Sequence, residues 1–164
     1  MKKIMLVVMV MFMMISLVGM EIDKWSIGTF NDEFGDKSDY HYLGIGGFGT
    51  FSNSATSSSS LMYGVYILDE IIELRLFEYN RKDVAPYKNE SYIMRVKDNN
   101  HDIHRIRVIS LDGCLYIRDE EEFIDLCKIN TSIKCYISID RSEYLFTVHC
   151  MGFIALYGSR TKID

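Results

Sequence analysis

The chain has 164 residues, 48% of them hydrophobic and 25% charged, with a formal net charge of −5. That length suits one domain with a core of its own. An acidic balance without a block of Lys or Arg is poorly matched to a phosphate backbone, which excludes nucleic acid as an expected partner.

Lys2 and Lys3 precede an almost unbroken apolar run from Ile4 to Val18, followed by small Gly19 and polar Glu21, Asp23 and Lys24. A basic end, an apolar middle and a small-residue boundary are the layout of a secretory signal peptide. Residues 1–20 are therefore expected to be a cleaved leader, and 21–164 a single mature domain that is secreted or periplasmic. The apolar run falls short of the roughly 20 residues a spanning helix needs; a retained signal anchor is the rival reading. Ser16-Leu17-Val18-Gly19 is similar to the start of a lipoprotein box, but Met20 stands where the lipidated Cys would be, so no lipid anchor is expected. Losing the leader removes Lys2 and Lys3, taking the charge from −5 to −7, together with seven of the ten Met.

Beyond the leader the apolar pattern is short and alternating, which signals half-buried strands. Trp25, Ile27 and Phe30 outline the first. An acidic turn follows (Asn31-Asp32-Glu33-Phe34-Gly35-Asp36-Lys37-Ser38-Asp39), then a second extended run from Tyr40 to Phe51. Ser52 to Ser60 holds seven Ser or Thr in nine residues, too polar for core, and reads as a loop or strand tip. Leu61 to Leu68 is apolar on both faces, as a central strand would be. Ile72, Leu74 and Leu76 alternate with Glu73, Arg75 and Phe77 in the next. Asn80 to Asn89, with the sole proline Pro86, connects to Tyr92-Ile93-Met94-Arg95-Val96, which meets a turn at Lys97-Asp98-Asn99-Asn100. Ile103 to Ile109 suits a half-exposed strand, and Asp112-Gly113 a tight turn before Cys114 to Ile117. One helix is expected over Asp119 to Lys128, with acids at its start where they complement the dipole and Phe123, Leu126 and Cys127 on one face. Ile133 to Ile139 and Tyr144 to Cys150 form a hairpin about Asp140-Arg141-Ser142, and Phe153 to Tyr157 adds a last short strand. Eight to ten short strands with one helix point to a sandwich or a barrel; the expected fold is an all-β antiparallel β-sandwich.

Candidate sites are few. Leu43-Gly44-Ile45-Gly46-Gly47-Phe48-Gly49 matches the spacing of a phosphate-cradling loop, but a Ser/Thr tract follows where a helix N-terminus is needed, so bulges or close packing explain the glycines better. Asp32, Glu33, Asp36 and Asp39 offer hard oxygen ligands, yet not at EF-hand spacing, and read as a solvated turn with no metal. His101 and His104 fall on opposite faces of a strand, as do His149 and Cys150, so neither pair converges. No catalytic residue and no cofactor is expected. Cys114, Cys127, Cys135 and Cys150 permit two disulfides in three pairings, or buried thiols. Tyr40, Tyr42, Tyr63, Tyr66, Tyr79, Tyr87 and Tyr92 supply either cross-strand packing or rigid contact area.

Trp25, Asp32-Glu33-Phe34-Gly35-Asp36 and Phe51-Ser52-Asn53-Ser54-Ala55-Thr56 resemble segments of a group of exported bacterial envelope proteins, some of them lipoproteins, of unknown function. The resemblance covers Trp25 to Val96, with a weaker fit through the C-terminal strands. It implies an exported β domain of a bacterial envelope and carries over no catalytic residue. The expected function is a non-enzymatic binding module for a protein or glycan, with Asp32, Asp36, Asn53 and Ser54 as the loop positions to test. The alternatives are a small secreted hydrolase in which His101 or His104 meets carboxylates in a pocket, and an acidic inhibitor or immunity-type protein that blocks a basic partner.

Overall fold

A computed structural model describes residues 21–31, 36–69, 71–79, 82–86 and 88–160. The leader, Asp32 and Glu33 lie outside them. In chain order the elements are β1 (Ser26–Asn31), β2 (Lys37–Ser52), β3 (Ser59–Leu68), β4 (Ile71–Glu78), β5 (Lys82–Asp83), β6 (Glu90–Lys97), β7 (Ile103–Leu111), β8 (Cys114–Ile117), α1 (Glu120–Ile129), β9 (Ser132–Ile139), β10 (Ser142–His149) and α2 (Phe153–Arg160). None of the helices among the described residues is long and apolar enough to cross a membrane.

The strands run β2-β10-β9-β6-β7-β8-β4-β3, and β3 pairs back onto β2, so eight antiparallel strands close into a barrel. The expected sandwich is therefore corrected to a barrel, with β1 as one outer strand. Closure depends on the length of β2. Its Leu43–Phe51 stretch pairs residue for residue with β3, its last four residues pair with β10 on the opposite edge, and its first half carries β1. A strand paired on both edges leaves no seam at which two sheets could separate.

Alternation fills the interior. Leu43 and Ile45 from β2, Tyr63 and Val65 from β3, and Ile137, Phe146 and Val148 from β9 and β10 belong to one buried cluster. Eight strands enclose a lumen just wide enough for side chains of this size, so the barrel is a packed core. One end is closed by the helices. Phe123, Leu126 and Cys127 of α1 face inward, and Phe153 of α2 meets Trp25 edge-on at 4.8 Å. The Trp25 indole N–H donates to the His149 carbonyl at 2.8 Å, tying the start of the domain to the end of β10.

The helix over Asp119–Lys128 is present as α1. Phe153 to Tyr157, expected as a strand, is helical, with Phe153, Leu156 and Tyr157 on one side against the core. The β2 glycines sit in unbroken register, so close packing and not a bulge is their reason. A Cβ on Gly49 would stand 2.3 Å from the Leu145 carbonyl oxygen, and one on Gly47 would stand 2.7 Å from the Tyr63 hydroxyl.

Candidate functional site

The end of the barrel away from the helices gathers the end of β2, the end of β4, β5 and the β9–β10 turn. At this mouth Glu78, Asp83, Val84, Ala85, Pro86, Ile139, Asp140, Ser142 and Tyr144 line a pocket of about 210 Å³. Each wall has a local cause. Glu78 continues the inward-facing alternation of β4 past Leu76, and its Oε1 accepts from the buried Tyr144 hydroxyl at 2.9 Å. Asp83 is placed by β5, which pairs with the end of β4, and Val84 N–H donates to the Leu76 carbonyl at 2.9 Å. Pro86 is held by the Ser110 hydroxyl, which donates to its carbonyl. Asp140 takes a left-handed φ of 53° in the hairpin, a conformation that Asp and Asn tolerate better than most residues.

Among the described residues, the titratable groups lining the pocket are carboxylates and one phenol, with no Lys, Arg or His. Partial desolvation raises the Asp83 carboxyl, while the Arg75 charge and the Val84 and Ala85 N–H groups oppose that shift. Burial also pushes the Tyr144 phenol up, so its hydroxyl stays protonated as a donor to Glu78. The pocket is smaller than the roughly 300 Å³ lower bound for a drug-sized ligand. Its volume and charge suit the end of one cationic side chain.

Behind Asp83, on the outer wall, lies a second polar group. Tyr66 and Glu73 are cross-strand partners on β3 and β4, and Tyr116 on β8 stands opposite Glu73. Glu73 is 1% exposed, and its Oε1 accepts from Arg75 Nε at 2.7 Å. Its Oε2 and the buried Tyr66 hydroxyl have no hydrogen-bond partner among the described residues. Burial lifts the Glu73 carboxyl to about 7, against the pull of Arg75. Arg75 also lies over the Tyr66 ring, 5.9 Å from its centroid.

The residues proposed from sequence do not converge. Asp36 is exposed just before β2, whereas Asn53 and Ser54 follow its far end. Sixteen strand residues separate them, a path of roughly 50 Å at about 3.3 Å per residue. Asn53 serves its own loop: its Oδ1 accepts from the Ala55 and Thr56 N–H groups at 2.9 and 3.1 Å. Ser54 is exposed in the same loop, on the pocket's end of the barrel. Of the tyrosines, Tyr42, Tyr63 and Tyr66 are buried, Tyr40 and Tyr79 are exposed, and Tyr87 lies outside the described residues.

His104 does meet carboxylates, with Nε2 3.2 Å from Asp98 Oδ2 and Nδ1 3.6 Å from Glu122. Both ring nitrogens thus face acids, and a nucleophile would have to displace one of them. Asp98 is engaged in the β6–β7 turn, where its Oδ1 accepts from Asn100 and Asp102 N–H, each at 2.9 Å. His101 is exposed in that turn, at φ 70°. All four cysteines are free thiols in this structure.

Sequence reading missed the pocket acids because Glu78, Asp83 and Asp140 are brought together only by barrel closure. Glu73 and Arg75 carried a signal: opposite charges two apart share one face of a strand. Comparison with known protein families, with curated proteins and with solved structures finds no match to this chain.

Proposed function

We propose that this chain is an exported, non-enzymatic binding module of a bacterial cell envelope, and that it receives a basic side chain of a protein partner in the acidic pocket at the barrel mouth. The observation that carries this reading is the pocket itself: the lumen is filled with apolar side chains, and the concavity at its mouth is lined by Glu78, Asp83 and Asp140, with no basic residue among the described residues that line it. A ligand is therefore read at the rim and not inside the barrel. Exposed Tyr79, edge-on to Phe51 at 5.0 Å, lies at the same end and adds rigid aromatic area beside the acids. The basic run and apolar stretch at the start of the chain support export. An acidic inhibitor of a basic protein is a narrower form of the same reading.

The test is affinity capture from envelope extract with the native chain and with the double variant Asp83→Asn, Asp140→Asn. Both substitutions keep an acceptor oxygen, and Asn tolerates the left-handed turn at position 140. A basic partner held by the native chain, released by raised salt and lost from the variant is expected. Equal capture by both chains at every salt concentration would sink the proposal.

A further inference from the structure

The helix-closed end of the barrel gathers three of the four cysteines. Cys127 lies in the last turn of α1 and faces inward with Phe123 and Leu126. Cys150 follows the last residue of β10, and its N–H donates to the Thr131 carbonyl at 2.8 Å. Thr131 comes directly after Asn130, the residue that caps α1, where the Asn130 N–H donates to the Leu126 carbonyl at 3.2 Å. The backbone thus fixes the end of the helix beside the end of the strand. Both thiols are buried, Cys127 1% and Cys150 4% exposed; the Cys150 thiol donates to the Val148 carbonyl at 3.6 Å, and the two thiols lie close enough to shift each other's ionisation in opposite directions.

We infer that Cys127 and Cys150 form the one disulfide of this fold, joining α1 to the junction between β10 and α2. The other two cysteines have different settings. Cys135 is on β9 inside the barrel, fully buried, opposite Phe146 and Val96. Cys114 opens β8 at the opposite end, on the outer wall near Glu73 and Tyr116. A bridge needs Cβ atoms about 4 Å apart, and the Cys150–Thr131 backbone bond holds the end of β10 against the end of α1 so that the two side chains meet in the same buried cluster.

The chemistry is thiol–disulfide exchange with a small disulfide such as oxidised glutathione. Cys150 is the better nucleophile of the pair, because the Cys127 thiol and the Ile133 N–H both favour its thiolate, whereas burial and the Cys150 contact hold the Cys127 proton on. The Cys150 thiolate attacks one sulfur of the oxidant and expels a thiolate, giving a mixed disulfide. Cys127 then loses its proton and attacks the Cys150 sulfur, expelling the second small thiol. Two protein thiols lose two electrons and two protons, and one disulfide becomes two thiols. Since both sulfurs are buried, exchange occurs while the chain folds, before Phe123 and Leu126 seat α1. The pairing is a property of this end of the barrel and is independent of the binding proposal, which concerns the other end.

The sequence makes the test clean. Cleavage after Lys and Arg places the four cysteines on four separate peptides, 108–118, 119–128, 135–141 and 142–160. The full chain is refolded from urea in a glutathione redox buffer, so that the oxidant reaches both thiols, then alkylated and mapped without reduction. A single linked pair of 119–128 with 142–160, with Cys114 and Cys135 alkylated, is expected. Thermal melts add a second readout. Reductant should lower the Tm of the oxidised chain by on the order of 10 °C, and should have no effect on Cys127→Ala or Cys150→Ala. Four alkylated cysteines, or a link that includes Cys114 or Cys135, overturns the inference.

Discussion

Glu73 shows how a single side chain can tie the stability of the barrel to pH. It sits on the outer wall of β4, yet it is buried, with one oxygen on Arg75 and the other without a hydrogen-bond partner among the described residues. Its folded-state pKa, about 7, is raised above the ordinary 4.5, so folding favours the protonated acid. A group with a raised acid pKa leaves stability intact below 4.5, removes it as pH rises through 7, and costs at most about 3 kcal/mol above that. Urea unfolding of the native chain should therefore show stability falling between about pH 4.5 and 7. Glu73→Gln keeps an acceptor for Arg75 without the charge, so its profile should be shallower across that window, the remaining slope belonging to the raised carboxyl of Asp83. A variant that keeps the native slope would assign the pH dependence to another group.

At the scale of elements, β2 joins most of the molecule, and its glycines are what allow it to do so. Gly49 faces the β10 backbone so closely that an added methyl meets the Leu145 carbonyl at 2.3 Å and Phe146 Cβ at 2.8 Å. Gly49→Ala must push β10 away from β2 at the seam that closes the barrel, and should cost about 1–3 kcal/mol in chemical denaturation. Gly158 in α2 is the opposite case: a methyl there meets nothing within 4 Å. Gly158→Ala should stabilise by about 0.5–1 kcal/mol through the helix propensity of Ala. The same contrast shows what the sequence made legible. Alternation in Ile72 to Phe77, the Asp112-Gly113 turn and the acidic start of α1 are local signals, and each element is present. α2 was misread because five apolar residues from Phe153 to Tyr157 are too few to separate period 2 from period 3.6. Closure was not legible either: β2 and β3 form a local hairpin, but the β2–β10 pairing that closes the ring joins residues far apart in the chain, such as Phe51 and Tyr144. The pocket followed closure into obscurity: nothing local connects Glu78 and Asp83 to Asp140.

Among the described residues the molecule has a ring of eight strands, each paired on both edges, and two strands outside the ring, the two-residue β5 and the longer β1. β9 lies between β10 and β6, each of its middle residues bonded on two sides, and its inward residues Ile133, Cys135 and Ile137 are buried in the central cluster. β1 pairs only with β2, its register shifts between Thr29 and Asn31, and Ile27 and Thr29 are only half-buried. Opening β1 breaks one ladder and exposes little apolar surface, whereas opening β9 breaks two and empties the core. The free energy to expose an amide scales with what must open with it, so exchange should be graded across the fold. Native-state hydrogen exchange should find the β1 amides leaving at a free energy well below the global value, and the Cys135–Ile137 amides leaving only with global unfolding. Trp25 sets the limit of that gradient. Its indole is buried against Phe153 and bonded to the His149 carbonyl, so the segment just before β1 remains pinned to the barrel when β1 itself lifts. The outcome that contradicts this hierarchy is β1 exchanging together with β9, which would make the outer strand part of the cooperative barrel.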